Sequence, residues 1–60
     1  MNLKHYINKL VNLTIKVNGY TQSISGHISN VGKEYILFLD QDSKERPIQR
    51  KSIVKVTIIK

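Results

Sequence analysis

Residues 11–28 read VNLTIKVNGYTQSISGHI, and the two-residue rhythm of this stretch decides the fold. Leu13, Ile15 and Val17 alternate with Asn12, Thr14 and Lys16, the pattern of a half-buried strand. Asn18-Gly19 then supplies a two-residue type I′ hairpin turn, which needs positive φ at both central positions. Beyond it the alternation resumes, with Tyr20, Gln22, Ile24, Gly26 and Ile28 set against Thr21, Ser23, Ser25 and His27. Gly26 has no side chain to pack in mid-strand, the mark of a bulge, a bend or a close backbone approach. A bend there lets one strand serve both halves of a small sheet.

Working outward toward the C-terminus, Asn30-Val31-Gly32-Lys33 reads as a second tight turn and residues 34–39 as a third strand. Its run Tyr35-Ile36-Leu37-Phe38-Leu39 is apolar on both faces, as expected for a strand central to a barrel or covered by the helix. Asp40-Gln41-Asp42-Ser43 is turn chemistry, since Asx side chains bond their own backbone. Residues 46–49 make a short fourth strand, and Pro47, without an N–H donor, marks its start or an edge. A corner at Arg50-Lys51-Ser52 leads to a last strand over residues 53–59. Toward the N-terminus, Leu3, Tyr6, Ile7 and Leu10 are spaced i, i+3, i+4, i+7. That spacing predicts an amphipathic α-helix over residues 3–10, with Asn2 as its N-cap. The whole is mainly β: one domain over 1–60, a short α-helix followed by five strands over 11–59. Such a sheet, antiparallel and strongly bent, is expected to close into a small barrel.

Charge points to the partner. Ten Lys and Arg outnumber four acids for a net +6, and all four acids (Glu34, Asp40, Asp42, Glu45) fall within residues 34–45. A segregated positive field attracts polyanions and speeds their encounter. Nucleic acid is the leading candidate, because each neutralised phosphate releases counterions. RNA is the expected partner and DNA the alternative.

Size and composition exclude other classes. A 60-residue chain without cysteine can form neither disulfides nor thiolate metal sites. His5 and His27 stand far apart, so a structural metal is not expected. Small domains compensate by self-association, and an oligomer is expected. Gly19, Gly26 and Gly32 occur singly rather than in a phosphate-cradling loop, so no cofactor is implied. No triad or paired-acid spacing suggests an enzyme. The chain has no apolar run long enough to span a bilayer and no signal-peptide core at its start, which leads to the expectation of a cytoplasmic protein without membrane contact.

Several of these features together resemble the bacterial Sm-like, Hfq-type family of RNA-binding small β-barrels. The resemblance rests on the short N-terminal helix, the hairpin through Val17-Asn18-Gly19 and the mid-strand Gly26-His27-Ile28. The turn 30–33, the apolar strand 35–39 and the closing Gln49-Arg50-Lys51-Ser52-Ile53 extend it over residues 3–59. It implies an Sm-like barrel that assembles into a ring, of hexameric type, and acts in a bacterium or phage as an RNA chaperone or post-transcriptional regulator. In the family the closing motif is aromatic-Lys-His-Ala-Ile, which lines the ring's pore and holds uridines. Here Arg50 keeps the cation and Ile53 the apolar anchor, while Gln49 and Lys51 replace the aromatic and the histidine. The turn that carries a stacking aromatic in the family ends in Lys33-Glu34. Binding is therefore expected to lean on phosphate contacts and shape.

The candidate site comprises Asn30, Lys33, Arg46, Gln49, Arg50 and Lys51. Arg46, Arg50 and Lys51 would meet phosphates, with Gln49 available for a base edge and Asn30 and Lys33 facing the same end from the neighbouring turn. Against this stands a plainer reading: a solvated turn whose cations pair with Asp40, Asp42 and Glu45, cancelling part of the field. Tyr20, at the hairpin exit, is the best stacking candidate unless it simply packs across the strands. A second functional class is an SH3-like adaptor whose free strand edge receives a partner peptide chosen by the acidic loop.

Overall fold

The computed structural model describes residues 2–59. Five strands form one antiparallel sheet: β1 (Leu10–Val17), β2 (Tyr20–Val31), β3 (Tyr35–Asp40), β4 (Glu45–Gln49) and β5 (Ile53–Ile58), in the order β4-β3-β2-β1-β5. β4 and β5 are the two edges and do not pair with each other, so the sheet is open. A barrel closed within one chain is not what this topology forms. No helix among the described residues is long and apolar enough to cross a membrane.

The hairpin forms as its sequence dictates. Asn18 and Gly19 sit at φ 50° and 84°, and Val17 pairs with Tyr20 across the turn. β2 is the long strand, and its two halves have different neighbours. Residues 20–27 pair with β1, whereas residues 26–31 pair with β3, so Gly26 and His27 carry both ladders.

Gly26 is a point of close backbone approach to β3, and the bulge in the β2–β3 ladder falls at Ser29. Ile28 pairs with Phe38 and Asn30 with Leu37, leaving Ser29 as the extra residue. Its Oγ donates to the Leu37 carbonyl at 3.1 Å, which anchors the irregularity. β2 consequently runs on to Val31, and the loop expected at Asn30–Lys33 is carried forward to residues 32–34.

The N-terminal segment departs most from expectation. In place of an α-helix over residues 3–10 there is one 3-10 turn, Leu3–Tyr6. Asn2 does cap it, its Oδ1 accepting from the Lys4 amide at 3.1 Å. Asn8 then enters the left-handed region at φ 66° and donates its N–H to the Ile28 carbonyl at 3.0 Å. Asparagine tolerates that conformation, and two turns of helix are marginal alone. Leu10 is thereby claimed by β1, while Leu3, Tyr6 and Ile7 still turn toward the core.

Alternation sets the core. Val11 and Leu13 of β1, Ile28 of β2, and Ile36 and Phe38 of β3 are fully buried, joined by Leu3 and by Ile48 of β4. A single sheet has no second layer to cover such residues, so it must curl around them. Because the curl stays open, β5 remains partly bare: Val54 and Ile58 are about half exposed.

Candidate nucleic-acid interface

Four of the six candidate residues meet at one end of the curled sheet. The loop after β2 is closed by the Gly32 amide donating to the Tyr35 carbonyl at 2.8 Å. A 3-10 turn, Arg50–Ser52, follows β4 and packs beside this loop. Arg50 joins the two: its amide donates to the Glu34 carbonyl at 2.8 Å and its Nη1 to the Gly32 carbonyl at 2.9 Å. One carbonyl occupies only part of a guanidinium's donor capacity, so Arg50 can still bind an anion. Beside it lies a cleft of about 270 Å³ lined by Lys33, Glu34, Tyr35, Gln49, Arg50 and Lys51.

The cleft combines a cationic rim with an aromatic face. Lys33 and Lys51 are exposed, and neither forms an ion pair among the described residues. Glu34 is the one carboxylate in the lining, against three cations. Tyr35 and Gln49 are partners in the β3–β4 ladder, so a phenol and an amide stand side by side. Tyr35 is 46% exposed, leaving part of its ring available for stacking. Chemically, the arrangement offers phosphate neutralisation, a π face and an adaptable hydrogen-bonding group within one small space.

Tyr35 is the residue that sequence reasoning missed. The apolar run gave no signal of it, and the strand is not covered on both sides as expected: Ile36 and Phe38 are buried, which sends Tyr35, Leu37 and Leu39 to the opposite face, where Tyr35 is exposed. Tyr35 also opens β3 immediately after the loop, at the mouth of the cleft. Tyr20 lies at the other end of β2, 78% exposed beside the hairpin tip.

Asn30 and Arg46 are placed elsewhere. Asn30 pairs with Leu37 inside the ladder, and its Oδ1 accepts from the Val31 amide at 2.8 Å. Arg46 reaches Asp40 with Nε–Oδ2 at 2.9 Å, the one ion pair among the described residues. Asp40 therefore pairs with Arg46, and no acid forms an ion pair with Arg50 or Lys51 among the described residues. Asp40 ends β3 and Tyr35 begins it, so the acidic turn and the cleft stand about 17 Å apart along the strand. That separation exceeds the screening length of about 8 Å at physiological salt, and the cleft keeps its positive field.

Asp40 organises its turn as an acceptor. Its Oδ1 takes the amides of Lys44 at 3.0 Å and Asp42 at 2.9 Å. These bonds, that of Lys44 foremost, together with the Arg46 guanidinium hold its carboxyl below the usual carboxylate range. A carboxyl lowered on folding contributes stability that is complete above the unfolded pKa and is lost as pH falls through the folded one. Asp40→Asn is therefore expected to melt at a temperature that depends less on pH below the ordinary carboxylate range than the wild type does. Parallel pH-dependent curves for the two proteins would contradict this.

No protein-family model, curated protein or solved structure matches this chain.

Proposed function

We propose that this chain binds single-stranded nucleic acid, RNA foremost, through the cleft of Lys33, Tyr35, Gln49, Arg50 and Lys51. The observation that carries the reading is the convergence of three cations on a half-exposed tyrosine. Phosphates are met by Lys33, Arg50 and Lys51, and a splayed base stacks on Tyr35 beside Gln49. Duplexes keep their bases stacked inside, so they gain the phosphate contacts without the aromatic one.

Self-association completes the proposal. One chain presents a single cleft and modest charge, whereas repeated clefts add avidity. The unpaired edges β4 and β5 offer the route, β4 of one copy pairing with β5 of the next to close an Sm-like ring. Val54, Ile58 and Ile59, about half exposed, would be covered in that assembly. A single-chain mass by light scattering would contradict this part of the proposal and leave the cleft untouched.

Fluorescence anisotropy with a labelled single-stranded oligoribonucleotide and a duplex of equal length tests the binding reading. The single strand is expected to bind more tightly, and its affinity to fall steeply between about 50 and 200 mM salt. Tyr35→Ala should narrow the gap between strand and duplex, since stacking contributes about 1–3 kcal/mol per base. Equal affinity for both, unmoved by salt, would remove the proposal.

A further inference from the structure

β2 is flanked unevenly, and the first half of the strand is bare along one side. A two-residue hairpin closes on a pair that exchanges both backbone bonds, and bonded and non-bonded pairs alternate from there. Val17–Tyr20 is that closing pair, so Ile15–Gln22, Leu13–Ile24 and Val11–Gly26 are bonded as well. Thr21, Ser23 and Ser25 consequently turn their N–H and C=O groups away from β1. β3 occupies that side only from Gly26 onward, and no turn or loop bond reaches these three residues.

The other free edges carry charges or proline and this one carries neither. β4 carries Glu45, Arg46 and Pro47, and β5 carries Lys55. Charges and proline narrow which strand an edge accepts, so β4 and β5 suit one matched partner strand rather than any extended segment. Tyr20–Ser25 has neither. Beside it runs a groove of about 360 Å³, walled by Gln22–Ser25 on one side and by Asp40, Gln41, Asp42 and Arg46 on the other. Ile24 is half-buried along this edge, and Asp42 is exposed with no ion pair among the described residues.

We propose that this edge takes up an extended, basic polypeptide segment as an added strand, one Lys or Arg of the segment lying against Asp42. Main-chain bonds to Thr21, Ser23 and Ser25 supply the affinity, and the acidic wall supplies the choice of partner. The same wall disfavours nucleic acid, whose phosphates it repels. A second copy of the chain would bring the same uncharged edge and leave Asp42 unmatched. The site is separate from the cleft, so either can fail without the other.

The test is residue-resolved hydrogen exchange on the whole protein with a short blocked peptide of alternating valine and lysine. Amides of Thr21, Ser23 and Ser25 should exchange at least about tenfold more slowly with the peptide bound. A counterpart with glutamate in place of lysine should not bind. Ser23→Pro removes an outward N–H without breaking the β1–β2 ladder, and it should abolish protection at its neighbours. Should that variant fold poorly, Asp42→Lys leaves the backbone intact and should weaken the lysine peptide by about tenfold or more. Lys33→Glu/Lys51→Glu should bind the peptide as the wild type does. No protection, equal binding of the glutamate peptide, or protection in the protein alone that rises with its concentration would each overturn the proposal.

Discussion

Gly26→Ala is expected to cost about 3 kcal/mol of stability, the upper part of the range for overfilling a packed core. A Cβ at this position runs into the backbone oxygen of Leu39 and comes within 2.9 Å of two ring carbons of Phe38. Neither neighbour can step aside cheaply. Phe38 is fully buried among Leu13, Ile28 and Ile36, and Leu39 is held in the ladder opposite His27. The only relief is to push β3 away from β2 where both ladders share Gly26. A chain of this size has roughly 3–9 kcal/mol in total, so the loss takes a third or more of it. Urea unfolding should show a midpoint lowered accordingly at unchanged slope. A variant as stable as the wild type would mean that β2 and β3 do not approach this closely.

The largest functional effect is expected from reversing the two exposed cations of the cleft together. Lys33→Glu/Lys51→Glu should weaken single-stranded RNA binding by about 100-fold at low salt. Each phosphate contact near a protein surface is worth about 1–2 kcal/mol, or roughly tenfold per charge removed. The logarithmic salt slope should shrink by about 1.4 units as two counterion-releasing contacts disappear. Neither lysine is buried or ion-paired among the described residues, so stability should be nearly unchanged. Arg50 is a poorer choice for this test, because its side chain also holds the Gly32 carbonyl. Reversing Arg46 instead should leave RNA affinity nearly intact, since its charge is already spent on Asp40.

Local rules made most of the sheet legible. Asn18-Gly19 demanded positive φ, alternation in β1 separated core from surface, and Pro47 belonged on an edge, where β4 lies. What escaped the reading was set by tertiary partners. Leu10 fits a helical stripe and a strand equally well, and the bond from Asn8 to Ile28 decides between them. The bulge at Ser29 depends on a hydroxyl meeting the Leu37 carbonyl, a contact no spacing rule anticipates. Closure of the barrel was overstated for the same reason: strand count and turn spacing say nothing about whether β4 finds β5 within one chain.

The candidate site was half legible. Lys33, Gln49, Arg50 and Lys51 come together because the strand ladder places their two turns at one end of the sheet. Arg46 shares their sequence neighbourhood but lies three strand positions away from Gln49, next to the acidic turn. Asn30 was displaced from its expected turn by the bulge. Tyr35 went unrecognised because an apolar run reads as core until the register shows which side each residue faces.

One titration reaches the centre of this account: nitrogen-15 NMR of the labelled protein with a short single-stranded oligoribonucleotide in dilute buffer. The amide signals of Lys33, Glu34, Tyr35, Gln49, Arg50 and Lys51 should move furthest, and the movement should fade as salt is added. Shifts gathered instead on the Asp40–Arg46 turn or the β1–β2 hairpin, or no shifts at all, would contradict it.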